Sequence, residues 1–155
     1  MEQLSLPAFS YKLKESDGKT FIYDAVRRKW LVLTPEEWVR QHLLHFLHAY
    51  LQYPKPLMSV ERGTRYNRLQ KRTDICVYGG DGKVLLLVEC KAPTVPISTQ
   101  TVQQAAVYNQ TIKAPYLLLS NGHHHYCWRV AEDGVSLEPL AELPPFDQLK
   151  KDGVR

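Results

Sequence analysis

Residues 84–88 are five aliphatic side chains without a polar interruption, followed at once by Glu89, Cys90 and Lys91. A strand with no polar alternation has no face to offer to water, so this run belongs in the interior of a sheet covered on both sides. It is far too short to cross a bilayer. The turn residues Gly79-Gly80-Asp81-Gly82 before it make it the second arm of a hairpin whose first arm is 73–78. A second apolar strand follows at 115–120, after a segment of helical spacing at 98–112. Helices must therefore cover a sheet on both sides, which predicts an α/β fold with a mixed central sheet.

The flanking text is consistent with that frame. Residues 9–33 read as three short strands, with a turn at Asp17-Gly18, and predict a β-meander. Thr34-Pro35-Glu36-Glu37 combines an N-cap, a proline at the first helical position and an acid three residues after the cap, so a helix starts here as a capping box. Trp38, Val39, Leu43, Phe46, Leu47 and Tyr50 recur at helical spacing, and Pro54 requires the helix to have ended. His42, His45 and His48 are expected on its outer face, while Trp30, Trp38 and Trp128 are expected in the packing. After a short strand beyond Asp133-Gly134, a proline-rich tail closes the sequence. The expected organisation is a meander at 1–33 packed on a core at 34–155, together one domain, as 155 residues would make.

The chemistry concentrates around Asp74 and, fifteen positions on, Glu89-Cys90-Lys91. Glu89 and Lys91 are two apart on a strand and share a face, while Cys90 points the other way. With the hairpin turn centred between Gly80 and Asp81, Asp74 lies opposite Leu87 and diagonal to Glu89, roughly 7 Å away. Two carboxylates can then meet over one hard cation, and Lys91 can orient or help deprotonate a water or stabilise charge on a phosphate. Unpaired carboxylates at the end of so apolar a strand are costly, and a metal would neutralise them. Glu36 falls on the core-facing stripe of the first helix and Glu37 is accounted for by the capping box, so Glu36 is the expected third acid. Gln104 and Tyr108, four apart on the second helix, can hydrogen-bond a carboxylate, a bound water or a phosphate.

TPEEWVRQ, the RxTD-like approach to Asp74, VECKAP, QAAVYN and LLLSNG, taken in order over about residues 31–129, resemble the N-terminal nuclease domain of the R subunit of type I restriction enzymes, within the PD-(D/E)xK nuclease superfamily. The resemblance implies a restriction-endonuclease-like core and hydrolysis of DNA phosphodiester bonds dependent on Mg²⁺ or Mn²⁺. It implies a metal held by Glu36, Asp74, Glu89 and the backbone carbonyl of Cys90, with Lys91 as catalytic lysine and Gln104 and Tyr108 as a QxxxY element. Restriction or repair subunits are implied as partners beside DNA. Thr73 stands where the superfamily has its proline. The sequence has no GxxxxGK[ST] phosphate loop, so a stand-alone nuclease-like domain without a motor is expected.

Twenty basic against sixteen acidic residues give a net charge of +4, a mild excess that permits a polyanionic partner without requiring one. Arg62, Arg65, Arg68, Lys71 and Arg72 crowd into eleven residues with no acid, a run that would place phosphates near Asp74 by charge attraction; the competing reading is a solvated loop. Three widely spaced cysteines and the lack of a signal-like start suit a reducing cytoplasm. Two other readings compete. One is a nucleic-acid-binding accessory module with an inactive site; the other is a transition-metal protein using His123, His124, His125 and Cys127, of which His123, His125 and Cys127 share a strand face.

Overall fold

The computed structural model describes residues 1–66 and 69–152, with the backbone alone for 61–66 and 69–73. Strands β1 (Leu13–Ser16), β2 (Lys19–Asp24) and β3 (Lys29–Val32) form an antiparallel meander. Asp17 and Gly18 turn the first corner with φ of 51° and 74°, the left-handed pair that a two-residue hairpin requires. Helix α1 (Pro35–Ala49) follows, then a single 3-10 turn at Lys55–Leu57. Strands β4 (Met58–Tyr66), β5 (Leu69–Tyr78), β6 (Val84–Cys90), β7 (Tyr116–Ser120), β8 (His125–Val130) and β9 (Leu137–Leu140) line up in that order in one sheet. Every neighbouring pair is antiparallel except β6 and β7. Helix α2 (Thr99–Ile112) makes the crossover between those two, and α3 (Phe146–Asp152) ends the described chain. The expected mixed sheet with an N-terminal meander is the fold observed. No helix among the described residues is long and apolar enough to cross a membrane.

The two unalternating strands sit in the middle of the sheet. On one face, Leu86, Val88 and Cys90 pack with Val39, Leu43 and Leu47 of α1 and Phe146 and Leu149 of α3. On the other, Leu87 and Cys76 pack with Tyr108 of α2 and with Leu117. Burying each large aliphatic side chain contributes about 1.5–3 kcal/mol, which is why strands of this composition occupy the centre.

Four expectations need correction. The β5–β6 register pairs Cys76 with Leu87 and Ile75 with Val88, so Asp74 is not opposite Leu87. Continued by one residue, it sets Asp74 beside Glu89. The turn is centred one half-residue later than expected and a bulge between Val77 and Tyr78 shifts the pairing further, which together move the register by two. The basic segment is not a loop at its described positions: β4 and β5 pair there from Arg62 opposite Thr73 to Tyr66 opposite Leu69. The side chains of Arg62, Arg65, Lys71 and Arg72, and all of Arg68, lie outside the described residues. His42 does not face outward. It is 6% exposed, edge-on to Phe9 and Trp38, because the N-terminal segment lies over this side of α1. The proline-rich tail contains α3 rather than ending as irregular chain.

The N-terminal segment is held at several points. The Trp38 indole donates to the Glu2 carbonyl (2.7 Å) and the Ser5 N–H to the Gly122 carbonyl (2.8 Å). Leu4 is buried against Gly122, whose φ is +89° and where an added Cβ would lie 2.8 Å from Leu4 and 3.2 Å from Val39. Gly122→Ala therefore combines backbone strain with a clash, and should lower the unfolding free energy by about 2–3 kcal/mol in urea. Gly80→Ala, with nothing within 4 Å of the new methyl, serves as the near-neutral comparison.

Candidate active site

Thr34 caps α1 by accepting the Glu37 N–H at 3.0 Å. A full capping box would return the Glu37 carboxylate to the Thr34 backbone, but that carboxylate is engaged elsewhere. Its oxygens accept from Arg40 Nη1 (2.7 Å), from Arg27 Nη2 (3.1 and 3.2 Å) and from Gln41 Nε2 (2.9 Å). Glu37 is thus the buried acid of the first turn, whereas the Glu36 side chain is 46% exposed. The inward glutamate expected from the helical stripe was Glu36. The order is reversed because Arg27, in the turn between β2 and β3, and Arg40 together compensate a buried charge at position 37.

Asp24 anchors this arrangement from the meander. It is fully buried and accepts from the Val26 and Arg27 N–H groups (2.8 Å each), from Arg27 Nε (2.7 Å) and from Gln41 Nε2 (2.9 Å). Burial alone would raise its carboxyl, but the Arg27 backbone N–H, Gln41 and the Arg27 guanidinium outweigh it, so Asp24 titrates below its ordinary range.

Arg40 carries the network to the sheet. Its Nη2 donates to Asp74 Oδ1 at 2.7 Å and to Glu36 Oε1 at 3.1 Å. The second Asp74 oxygen accepts the Cys90 N–H at 2.8 Å, tying the middle of β5 to the end of β6. Asp74 and Glu89 are both more than nine-tenths buried. Glu36 is raised above the ordinary carboxylate range, first by burial and then by the charge of Asp74, against the pull of Arg40 and Lys91. The Cys90 thiol is raised well above its usual value by burial and then by Asp74, so it is neutral, and it packs into the core on the α1 side.

The structure thus groups Glu36, Asp74, Cys90 and Lys91, and sets Glu89 next to Asp74 by register. Lys91 begins where strand pairing ends, its N–H donating to the Ser120 carbonyl at 2.8 Å. Tyr108 is buried in the α2-side core, and its hydroxyl is pushed up to about 12 by burial, with smaller contributions from Cys76 and Glu89. It is a protonated donor at neutral pH. Gln104, one turn before it, is exposed, so the two are not equally placed. A cleft of about 510 Å³ opens beside Glu36, Glu37 and Arg40, walled by Leu31, Val32 and Ala92. A larger cavity, about 980 Å³, lies around Lys83, Ile112 and Arg129 at the other end of β6, away from these acids. Convergent charge, not size, marks the smaller cleft as the candidate.

Hard carboxylate and carbonyl oxygens suit Mg²⁺ or Mn²⁺. Among the described side chains, Asp24, Glu36, Glu37, Asp74 and Glu89 outnumber Arg27, Arg40 and Lys91, an excess of negative charge that a divalent cation would balance. The donor chemistry therefore fits such an ion. As arranged, no three acidic, histidine or cysteine side chains among the described residues form a group that could hold a metal, and Asp74 and Glu36 are turned to Arg40 instead.

The histidine cluster is engaged with the protein itself. His125 Nδ1 meets Ser120 Oγ at 2.7 Å and its Nε2 meets the Ser5 carbonyl at 3.0 Å, while His123 pairs with Glu2. Cys127 is buried, with its thiol toward the Leu140 carbonyl. Sequence reasoning missed Asp24, Arg27 and Arg40. Asp24 carries the local sign of a side chain accepting from the second and third N–H after it, and Arg40 is three and four residues after the two glutamates. Neither spacing reveals that the groups point inward.

A model of the family described as type I restriction enzyme R protein N terminus matches residues 35–144. The chain belongs to this family. Among solved structures it is similar to a fragment described as an HsdR subunit of a type I restriction enzyme from Vibrio vulnificus YJ016, with a TM-score of 0.55 and 20% identity. The match covers 77% of this chain but 25% of that one, and at this identity it speaks for the fold alone. No match is found among curated proteins. The R-protein family match covers α1, β5, β6 and α2, the elements that carry the site, but begins after the meander that supplies Asp24 and Arg27.

Asp24→Asn, which keeps the shape but cannot accept all four hydrogen bonds as a carboxylate does, should destabilise this R-protein domain by about 3 kcal/mol at neutral pH. Because the folded pKa is depressed, the stabilisation is complete above the unfolded value of about 3.8 and is lost as pH falls through the folded one. In urea unfolding the gap between the two proteins should stay constant from pH 7 to about 4 and close under more acid conditions.

Proposed function

We propose that this chain is a nuclease domain that hydrolyses phosphodiester bonds of DNA, using Mg²⁺ or Mn²⁺ held by Glu36, Asp74, Glu89 and the carbonyl of Cys90. The observation that supports the reading is the β5–β6 register, which, continued one residue beyond Ile75 and Val88, brings buried Asp74 in the middle of β5 beside buried Glu89 near the end of β6, with Lys91 two residues on. Membership of the R-protein N-terminal family supports it. When bound, the ion would lower the pKa of a water and shield the charge of the scissile phosphate.

The chain's own groups supply the rest. The Lys91 ammonium orients the attacking water or donates to the anionic phosphate oxygens as charge builds on them. Tyr108, kept protonated, is a donor on the Glu89 side of the sheet, and Gln104 lies one turn before it on the same helix, exposed to solvent. The basic residues Arg62, Arg65, Arg68, Lys71 and Arg72 add a charge attraction for the DNA backbone that weakens with salt. Residues 1–33 belong to the same functional unit, since Asp24 and Arg27 brace Glu37. Other restriction subunits are the proposed protein partners, and three free cysteines suit action in a reducing cytoplasm. No phosphate-loop motif is present, so translocation is not among the proposed activities.

Supercoiled and linear DNA incubated with Mg²⁺ or Mn²⁺ should be cut by the native protein. Lys91→Ala and Glu89→Gln should each slow cutting by about 100-fold or more while DNA binding, read by fluorescence anisotropy, changes only a few-fold. If the native protein binds DNA but cuts none under either metal, the accessory-module reading replaces this one.

A further inference from the structure

We infer that Arg40 is the resident counter-cation of the acidic site, holding Asp74 and Glu36 in place of a divalent ion, so that an ion can enter only by taking their oxygens from it. This rests on the metal-dependent reading above. Three observations carry it. The guanidinium is buried, with a side-chain exposure of 5%, and one nitrogen, Nη2, serves both Asp74 (2.7 Å) and Glu36 (3.1 Å). The other, Nη1, is held at 2.7 Å by Glu37, itself fixed by Arg27 and Gln41. Asp74 cannot simply swing away to make room, because its second oxygen is held by the Cys90 N–H.

The consequence is a competition at defined atoms. A guanidinium stays charged at any working pH, so Arg40 cannot yield by losing its proton. A divalent ion on Asp74 Oδ1 would stand next to that charge, and like charges a few ångströms apart in a poorly solvated site repel strongly. Loading the ion therefore requires Nη2 to leave Asp74 and Glu36, while Nη1 retains Glu37 as its partner. Arg40 keeps the acids assembled in the absence of metal and weakens metal binding in return. A purely structural arginine would act oppositely, since its loss would scatter the ligands and lower affinity.

Calorimetric titration with Mn²⁺ alone, at fixed ionic strength, separates the two. Arg40→Met should bind Mn²⁺ at least tenfold more tightly than the native protein, and Asp74→Asn should abolish the binding in both backgrounds. Arg40→Gln, which keeps a neutral polar donor on a shorter side chain, should also show a gain and is the variant to read if Arg40→Met does not fold. Independently of any variant, Mg²⁺ added to arginine-¹⁵N-labelled native protein should shift the Arg40 Nη signals, assigned through its own backbone, and speed their rotation. Asp74-dependent binding that is unchanged or weaker in the folded variants overturns the inference and leaves the metal site standing, as do Arg40 signals unmoved by saturating Mg²⁺. No Asp74-dependent binding in any protein overturns both.

Discussion

A buried guanidinium is costly to desolvate and is tolerated where carboxylates compensate its charge. Arg40 reaches from α1 to Glu36 and Glu37 on its own helix and to Asp74 on β5, and Asp74 passes the constraint to β6 through the Cys90 N–H. One side chain therefore ties α1 to the β5–β6 hairpin. The apolar faces of the sheet bring α1 close without deciding its rotation. It is the pairing of Glu37 with Arg27 and Gln41, added to Arg40, that sets which residue of the first helical turn, Glu36 or Glu37, faces inward.

The meander takes on a role through the same linkage. Residues 1–33 lie outside the matched region, yet Asp24 and Arg27 compensate Glu37 and so brace Arg40 from behind. The site is then a chain of alternating charges running from the meander to the sheet, with the cleft open at its last members, Glu36 and Arg40. Its negative excess and its hard oxygen donors are the two properties a divalent cation would use.

Much of the fold was legible because unalternating apolar strands and a strong N-cap each have a single packing solution. Residues 84–88 and 116–120 could only be central, and Thr34-Pro35 could only begin a helix. The register was not legible, since a bulge at Val77 and Tyr78 leaves no mark in composition, and that bulge, with a turn centred half a residue later, is what moves Asp74 from Leu87 to Glu89. The Glu36 and Glu37 assignment failed for a related reason. A helical stripe ranks residues by their apolar neighbours, whereas burial of Glu37 depends on an arginine from a distant turn. His42 was misjudged likewise, because the cover over it comes from Phe9 in a segment with no regular structure.

The clasp formed by the first residues has a bearing on how the chain is made. Leu4 and Ser5 seat on Gly122 and beside His125, more than a hundred residues further on, so these residues find their berth only after β8 has been synthesised. Until then the side of α1 bearing Trp38 and His42 stays uncovered, and nascent chains must pass through a sticky interval that the finished molecule no longer displays.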